Sequence, residues 1–573
     1  MDADKSVKFI LFSLTALLLS SDISGGLSLH LLTTPIATVF MLSITTVFLP
    51  DFPRKILQFL FGEIVILLCL ADVYCQIFFQ SPINPQLFSV VINTDARETS
   101  EFVATFINYS VFLKCRIDLL ILLSLFLPLS YLPKIDKLFN SWIFNNLSKI
   151  IIGFVIAFSI IYEIRPFYRY TQLFSSKNDI QETEGLIFRQ YHREMSTPLH
   201  RVVFAYHSSE QAKKALEGII KTTFNAEIDS CTHKSPHIVL IIGESYNKHH
   251  SSLYGYPLPT TPLQQKRHEN GELFVFKDVI TPWNITSNAL LDIFSLWEYG
   301  SNKKISEYPL FPVLFREAGY EVSLFSNQLV IRGFSKGITN QSGNYFLADR
   351  QLSDAIFDYR NRHKSEFDMG LVRQVANYHN DTCRKQYSLD IIHLMGQHFE
   401  YEKRYPKEEA LFTENVYINR NISDEAKRTV MHYDNATFYN DKVLDSIIAI
   451  YENEESIVIF VSDHGEEVFD NLQVSGRLYQ EPTFAQAQQE FEVPMWIWCS
   501  DSYRQNHHDI VENIVNSLEK SFMTDGMPQI LLNLAGISCT WNDDSRNLLS
   551  PDYQCKTRII NGCVNYDSRD AIL

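Results

Sequence analysis

Residues 456–467 read Ser-Ile-Val-Ile-Phe-Val-Ser-Asp-His-Gly-Glu-Glu, an apolar run that ends in acidic residues and a histidine. Residues 237–245, His-Ile-Val-Leu-Ile-Ile-Gly-Glu-Ser, follow the same order of apolar run, small residue and carboxylate. Continuous apolar runs of this length are typical of strands that are buried on both faces. In sheets built from such strands, ligands bind beyond the carboxyl ends of the strands. The functional residues are therefore expected where these two runs end.

The chain from residue 236 onward alternates between runs of this kind and helical patterns. The predicted strands are His237 to Ile242, Leu273 to Ile280, Glu321 to Ser326, Leu389 to Met395, Ser456 to Val461 and Val493 to Cys499. The predicted helices are Ser287 to Trp297, Leu310 to Ala318, Ser423 to Tyr451 and His508 to Glu519. Such alternation predicts one large α/β domain, with a mostly parallel sheet flanked by helices.

The first 165 residues have a different character, with five apolar runs at 7–24, 28–49, 56–79, 117–133 and 148–164. Each approaches the roughly 20 residues that a helix needs to cross about 30 Å of hydrocarbon. Their few acidic residues, Glu63, Asp72 and Asp118, are costly in lipid and are expected at helix interfaces or the aqueous edge. A cleaved signal peptide is the alternative for the first run, but a second run follows almost at once without a clear cleavage site. We therefore predict a five-span membrane domain.

Orientation follows from the positive residues in the short loops, because lysine and arginine near membrane ends tend to stay in the cytoplasm. These residues precede the first span and separate the second from the third and the fourth from the fifth; they are Lys5, Lys8, Arg54, Lys55, Lys134, Lys137 and Lys149. Everything after Arg165 is then predicted to lie outside the cytoplasm. The expected organisation is a membrane domain at 1–165, an interfacial linker at 166–235 with a helix near 211–223, and a periplasmic catalytic domain at 236–573.

Composition and cysteine usage limit the classes of partner. The formal net charge of −16 argues against a general polyanion binder, so no nucleic-acid partner is expected. Six of the nine cysteines follow the last span, and an oxidising compartment permits disulfides among them. The pair predicted to form one is Cys555 and Cys563, which flank a short segment. No Cys-x-x-Cys spacing indicates a cysteine zinc site.

Glu244, Asp463 and His464 all follow the ends of predicted strands. Two carboxylates and an imidazole supply oxygen and nitrogen ligands for zinc and leave a position for a reacting group. Thr286 lies at the start of a predicted helix, where a threonine is expected either to cap the helix or, coordinated to the metal, to act as a nucleophile. Both roles stay open for Thr286 on the sequence alone.

Several motifs then occur in an order that resembles the bacterial phosphoethanolamine transferases, which modify lipopolysaccharide. They are Gly243-Glu244-Ser245, Leu253 to Pro257, Thr260-Thr261-Pro262, Thr286, Gly396-Gln397-His398, Arg404-Tyr405-Pro406 and Ser462 to Glu467. The resemblance covers almost the whole chain. It implies a five-span membrane domain followed by a catalytic domain of the alkaline phosphatase and sulfatase-like fold, in a bacterial inner membrane.

The resemblance also implies roles for individual residues. Glu244, Asp463 and His464 match the family's zinc ligands, and Thr286 matches the threonine that coordinates the same zinc and becomes phosphoethanolaminylated. His398 matches a histidine near the transferred phosphate or a second metal. Phosphatidylethanolamine is the implied donor and lipopolysaccharide, at lipid A or core, the implied acceptor. Asn327, with Gln328, is a candidate for contact with the head group, and a plain turn is the alternative.

The chain also departs from the family pattern. Tyr246 to His250 stand where many relatives carry an arginine, and no histidine lies between His464 and the next predicted strand, although relatives often have one there. The shell around a second metal or the phosphate is therefore not predicted by resemblance, and His249 and His250 are expected as solvated loop histidines. Two alternatives stay open: a phosphoglycerol transferase of the lipoteichoic acid synthase or osmoregulated glucan type, and a catalytically silent membrane sensor with the same fold.

Overall fold

A computed structural model describes residues 214–328, 345–380, 385–472, 475–477, 482–562 and 564–568, and a few positions before residue 214. The chain divides into two compact units, Met1–Ala212 and Lys213–Leu573, and this division falls inside the predicted linker. The predicted membrane runs lie almost entirely outside the described residues. In the fifth run, residues 153–161 are helical, and Phe154 is 72% exposed. Among the described residues, no helix combines the length and the apolar character that crossing a bilayer requires.

The second unit is built on a seven-stranded mixed sheet. In chain order its strands are β1 (His237–Gly243), β2 (Leu273–Phe276), β3 (Glu321–Ser326), β4 (Tyr359–Arg360), β5 (Ser388–His393), β6 (Ser456–Ser462) and β7 (Met495–Cys499). Their order across the sheet is β2-β7-β6-β1-β5-β3-β4. All neighbours are parallel except β7, which is antiparallel to both β2 and β6. The predicted, mostly parallel sheet is confirmed.

Helices flank this sheet. They are α1 (Pro262–Glu269), α2 (Thr286–Phe294), α3 (Phe311–Glu317), α4 (Arg350–Ile356), α5 (Asp368–His379), α6 (Asp424–Tyr451), α7 (Phe484–Phe491), α8 (Asp501–Asn506), α9 (His508–Val515) and α10 (Met527–Ala535). A short helix, Tyr345–Ala348, precedes α4, and residues 214–224 form a helix where the linker pattern predicts one.

The central strands are apolar on both faces because the sheet is covered on both faces. Residues 238–241 of β1 are fully buried, and so are residues 457–461 of β6. One core cluster joins β1 and β6 to the apolar face of α6, including Val443, Ile447 and Tyr451. The helix α6 begins after Ser423, whose side chain accepts from the Ala426 N–H, and two acidic residues in the first turn complement the helix dipole.

Register decides which side chains meet at the end of the sheet. In the parallel pair β1 and β6, Gly243 lies opposite Ser462, so Glu244 and Asp463 leave their strands side by side. On the other flank of β1, Ile242 lies opposite His393 of β5, which brings the loop after β5 to the same edge. The carboxyl ends of three adjacent strands therefore converge on one place, as the sequence predicts.

Two predictions on the fold need correction. The predicted strand Leu273 to Ile280 is two strands, because Val279–Ile280 leaves the main sheet and pairs in parallel with Phe522–Met523. The structure has Cys555 as a free, exposed thiol, so the predicted disulfide with Cys563 is absent; Cys563 itself lies outside the described residues.

Candidate metal centre

Glu244 is presented by a sharp turn at the end of β1. Ser245, the next residue, has φ +54°, a left-handed conformation that costs a non-glycine residue roughly 1–2 kcal/mol. Three hydrogen bonds hold this turn: the Ser245 N–H donates to Asp463 Oδ1 (3.1 Å), the Ser245 hydroxyl donates to Glu244 Oε1 (2.8 Å), and the Tyr433 hydroxyl donates to the Ser245 carbonyl (2.6 Å). The turn therefore fixes the backbone and the carboxylate of Glu244 together.

A glycine from the neighbouring loop closes against Glu244. Gly396, with φ +49°, follows β5, and a Cβ at this position would lie 2.8 Å from the Glu244 carbonyl oxygen. The Gln397 N–H donates to that same carbonyl at 3.0 Å. Only glycine permits this approach without displacing the backbone. The Gly-Gln-His motif thus supports the turn that carries Glu244.

His464 turns a lone pair toward the carboxylates. Its Nδ1 lies 2.7 Å from the Gly465 carbonyl, which can only accept, so the ring proton is on Nδ1 and Nε2 is the bare nitrogen. Nε2 lies 3.3 Å from Asp463 Oδ2 and 3.4 Å from Glu244 Oε1. Asp463 Oδ2 is buried and has no hydrogen-bond partner. The nitrogen Nε2 and the oxygen Oδ2 both carry lone pairs at this short distance, an arrangement that a shared cation would satisfy.

Thr286 is the first residue of α2, and its hydroxyl is directed at the same point. Thr286 Oγ lies 3.2 Å from Glu244 Oε2 and 3.1 Å from His464 Nε2. The residue that caps α2 is Ile285, and no side chain caps this helix end. The capping role that the sequence left open for Thr286 is therefore not the one that it has. Its hydroxyl faces the carboxylates and the imidazole.

The residues present fit a zinc ion. One ligand atom from each of Glu244, Asp463 and His464 lies within 4.8 Å of the others, and all three residues are buried. In the part of the chain that the structure describes, this is the one group of three or more His, Cys, Asp or Glu residues whose ligand atoms lie this close together. Three nitrogen and oxygen ligands with a fourth position open to a hydroxyl are the donor set of a catalytic zinc site. The ligand roles themselves remain a prediction.

Burial and mutual charge set the ionisation of this group. Burial would raise the pKa of Glu244, but the contact with His464 and the charge of Arg477 hold it well below its usual value. Burial and the charge of Glu244 raise the pKa of Asp463. Burial and the charge of Arg477 lower the pKa of His464. A neutral imidazole at neutral pH is the form that can bind a metal.

Arg477 is a member of the site that the sequence did not indicate. Its Nη1 donates to His464 Nε2 at 2.8 Å and to the Asn284 carbonyl at 3.2 Å. Glu466 lies in its field: burial raises the pKa of Glu466 to about 8 against the opposing charge of Arg477. Arg477 lies 13 residues after His464 in a stretch without a predicted element, so nothing in the sequence pattern connected it with the strand ends.

The two predicted substrate-binding residues lie in different surroundings. Burial lowers the pKa of His398, and the opposing charge of Glu244 acts on it, so His398 lies in the electrostatic field of the site. The amide of Asn327 is engaged elsewhere, because it donates to Asp368 Oδ1 (2.8 Å) and accepts from the Ser365 N–H (2.7 Å). Its neighbour Gln328 reaches the site and donates to Glu244 Oε2 at 2.8 Å. Head-group contact by Asn327 stays a prediction.

A second buried histidine lies in an ionic cluster formed by His250, Asp434 and Asp470. His250 Nδ1 lies 2.6 Å from Asp434 Oδ1, and Nε2 lies 2.9 Å from Asp470 Oδ2. The expectation of a solvated loop histidine is wrong for His250, which is fully buried, because two carboxylates from distant segments enclose it. The side chain of His249 is 36% exposed and pairs with Glu492 at 3.2 Å.

Known proteins resemble this chain over about half of its length. The chain is 27% identical over 345 residues to phosphoethanolamine transferase EptC of Escherichia coli K12, covering 58% of this chain and 57% of that protein. It is 28% identical over 310 residues to phosphoethanolamine transferase EptA of Helicobacter pylori, covering 53% and 55%. The chain thus spans little more than half the length of these curated relatives. These relatives confirm the resemblance to phosphoethanolamine transferases over that part of the chain.

Solved structures and a family model cover the same part of the chain. The zinc complex of the C-terminal periplasmic domain of E. coli EptC superimposes with a TM-score of 0.51 at 27% identity, covering 60% of this chain and 96% of that one. The integral membrane protein EptA of Neisseria meningitidis matches in fold, with a TM-score of 0.60 at 18% identity over 95% and 98%. Residues 236–531, which contain every strand of the main sheet and the whole candidate metal centre, match the sulfatase family. The chain belongs to the sulfatase family, with the alkaline phosphatase and sulfatase-like fold.

Proposed function

We propose that this protein is a zinc-dependent phosphoethanolamine transferase that moves phosphoethanolamine from phosphatidylethanolamine to a lipopolysaccharide acceptor. One observation carries the proposal: the Thr286 hydroxyl lies within 3.2 Å of both Glu244 and His464 at the start of a buried helix. A hydroxyl in this position is a nucleophile beside a metal site. The names of the relatives in E. coli and H. pylori supply the group that is transferred.

The zinc would be held by Glu244, Asp463 and His464, with Thr286 as the fourth ligand. The zinc complex of the E. coli EptC domain supports this choice of metal, and the unpartnered Asp463 Oδ2 supports a cation at this point. When bound, zinc supplies a positive charge that lowers the pKa of a coordinated hydroxyl and offsets the charge of a phosphoryl group. The remaining roles in the proposed reaction belong to the protein's own side chains.

The reaction divides into two displacements at phosphorus. In the first, Thr286 Oγ loses its proton and forms a bond to phosphorus, while the bond from phosphorus to the glycerol oxygen of the donor breaks. That oxygen takes up a proton and leaves as diacylglycerol. In the second, an acceptor oxygen loses a proton and bonds to phosphorus, the bond to Thr286 Oγ breaks, and Thr286 regains a proton. Glu244, which faces the hydroxyl, holds Thr286 in line for both steps.

The same proposal places the enzyme in a bacterial inner membrane with its catalytic domain in the periplasm. The five predicted spans and the lysine and arginine pattern of their loops support this. The structural neighbours are described as a periplasmic domain and as an integral membrane protein, and the latter matches the fold over 95% of this chain. A donor lipid and a lipid-linked acceptor are both available at that surface.

The test of this proposal is a covalent adduct on Thr286. The full chain is incubated with phosphatidylethanolamine vesicles without acceptor, and its intact mass should rise by one phosphoethanolamine group, mapped to the peptide that contains Thr286. Thr286→Ala should form no adduct and lose at least about 10³-fold in transfer, whereas Thr286→Ser should keep part of the activity. Ser287→Ala is the matched control, since this neighbouring hydroxyl bonds to Asn288 and should be dispensable. Turnover by Thr286→Ala at the wild-type rate would overturn the proposal.

A further inference from the structure

Arg477 lies at the centre of the candidate site, although the proposed chemistry has given it no role so far. It follows a short strand, Ser475–Gly476, that pairs with Glu467–Val468 directly after the Asp-His-Gly motif. This pairing returns the chain to the site 13 residues after His464. The guanidinium is anchored at one side by the Asn284 carbonyl, two residues before Thr286. Its position is therefore tied both to the metal-ligand loop and to the approach to the nucleophile.

The position of Arg477 relative to the nucleophile follows from a shared partner. Arg477 Nη1 lies 2.8 Å from His464 Nε2, and Thr286 Oγ lies 3.1 Å from the same nitrogen. The guanidinium and the hydroxyl therefore contact the same nitrogen, close enough for one phosphoryl group on Thr286 to reach the guanidinium. If Nε2 binds a metal, it no longer accepts from Arg477, and the Nη1 N–H that it accepts from in this structure can turn to a phosphoryl oxygen. Guanidinium groups bind phosphoryl oxygens through paired donors.

The positive charge that phosphoryl transfer uses explains why an arginine at this position matters. Phosphoryl transfer requires positive charge on both sides of the transferred group, often from two metal ions about 4 Å apart. Among the described residues, Glu244, Asp463 and His464 are the one group of three or more such ligands whose ligand atoms lie within 4.8 Å of one another. Arg477, whose Nη1 lies 2.8 Å from His464 Nε2, supplies a second positive charge beside this group.

We propose that Arg477 is the second cation of a single-zinc site and binds the phosphoryl group that Thr286 receives. The proposal rests on the proposed function for the identity of the transferred group. Its ligand class is a phosphate ester or inorganic phosphate. It also accounts for the missing histidine after His464: the chain neutralises the phosphoryl oxygens with a guanidinium and needs no further imidazole there.

The experiment compares wild type, Arg477→Ala and Arg477→Lys in the full, detergent-solubilised chain, with Arg428→Ala as the control. Arg428 lies on α6 with its side chain 49% exposed and only a 3.9 Å contact with Glu414, so its loss should change nothing. Three quantities are measured: zinc per chain, affinity for inorganic phosphate, and the rate of adduct formation from phosphatidylethanolamine. Wild type should hold about one zinc per chain.

Arg477→Ala should keep that zinc, bind phosphate at least about 10-fold more weakly, and form the adduct about 10²- to 10⁴-fold more slowly. Arg477→Lys should recover part of both losses, because it restores the charge without the paired donors. Two zinc ions per wild-type chain, or unchanged phosphate binding in Arg477→Ala, would overturn the proposal. A loss of zinc from Arg477→Ala that explains its slower adduct formation would also overturn the proposal.

These readouts also separate this inference from the proposed function. If wild type forms no adduct on Thr286 but Arg477→Ala still weakens phosphate binding, then the transferase proposal fails and the phosphate site stands. If wild type forms the adduct and Arg477→Ala forms it at the same rate, then the transferase proposal stands and the role of Arg477 fails.

Discussion

Two clusters in this protein consist of one buried histidine and two carboxylates, and they are built for opposite purposes. In the candidate metal centre, His464 keeps its proton on Nδ1 for a carbonyl and turns a bare Nε2 toward Glu244 and Asp463. In the ionic cluster, both nitrogens of His250 face carboxylates, Asp434 at 2.6 Å and Asp470 at 2.9 Å. The lone pair of His464 Nε2 faces its carboxylates, whereas His250 can donate a proton to a carboxylate from each of its two ring nitrogens.

The surrounding partners complete the contrast. Asp434 Oδ2 accepts from the hydroxyls of Tyr256 (2.8 Å) and Tyr417 (2.6 Å), and Asp470 Oδ1 accepts from Arg420 (2.8 Å). In the metal centre, Asp463 Oδ2 has no hydrogen-bond partner. Burial would lower the pKa of His250, but the charges of Asp470 and Asp434 raise it to about 10. The ionic cluster therefore satisfies its carboxylates without any added ion, whereas the metal centre leaves Asp463 Oδ2 without a hydrogen-bond partner.

The largest effect that tests this contrast is on metal content. His464→Ala should reduce bound zinc from about one per chain to a small fraction of that, since it removes the one nitrogen ligand, and transfer should fall with it. Elemental analysis of the purified full chain measures the zinc. His249→Ala is the matched control, because this partly exposed histidine pairs only with Glu492 and should leave zinc unchanged. Wild-type zinc content in His464→Ala would show that the ligands are assigned wrongly.

The ionic cluster should respond in stability instead of metal content. His250→Gln leaves the buried Asp434 carboxylate without its imidazolium partner, which should cost about 3–5 kcal/mol in the free energy of unfolding. The pKa of His250 is higher in the folded chain, about 10, than its ordinary 6.5, so its stabilisation is complete below about pH 6.5 and is lost as pH rises toward 10.

The difference between wild type and His250→Gln should therefore shrink between pH 6.5 and 10. The tyrosines, Arg420 and the metal centre are present in both proteins, so their own titrations largely cancel in this difference. Urea unfolding followed by tryptophan fluorescence measures it, and His249→Gln should lose no more than about 1 kcal/mol. An equal loss at pH 6 and pH 10 would mean that His250 is not charged in the fold.

Most of the sheet was predictable because its strands are buried on both faces. The apolar runs that became β1, β3, β5 and β6 could be located to within about two residues for this reason. The two-residue β4 has no such run. The antiparallel direction of β7 depends on the strand that it pairs with, and the sequence of one strand does not indicate that direction. Lys277 and Asp278 interrupt the apolar run after β2, and the chain leaves the sheet there.

The candidate site divides in the same way. Glu244, Asp463 and His464 were predicted to converge because each follows a strand end, and the parallel register of β1 and β6 brings them together. Arg477 was missed because its place depends on the path of a connection, and the burial of His250 was missed because Asp434 and Asp470 come from distant segments. Site residues that follow strand ends can be predicted from the sequence, whereas site residues that loops bring together are identified only once the fold is known.

The smallest effect concerns Gln328, which connects the loop after β3 to the metal centre. Its Nε2 donates to Glu244 Oε2 and to the Leu394 carbonyl, both at 2.8 Å, and so holds one carboxylate oxygen in place from outside the ligand group. Groups that orient a metal ligand in this way typically contribute 10- to 100-fold to metal affinity. Gln328→Leu, which is similar in size and cannot donate, should weaken zinc binding by about that factor, or about 1.4–2.8 kcal/mol. Titration against a competing chelator measures the affinity.

Gln374→Leu is the control, because this glutamine bonds to Ser365 and the His363 carbonyl instead. If the zinc affinity of Gln328→Leu matched that of wild type, the Ser245 hydroxyl, at 2.8 Å from Glu244 Oε1, would be sufficient to orient the carboxylate, and the metal centre would depend on β1 and β6 alone.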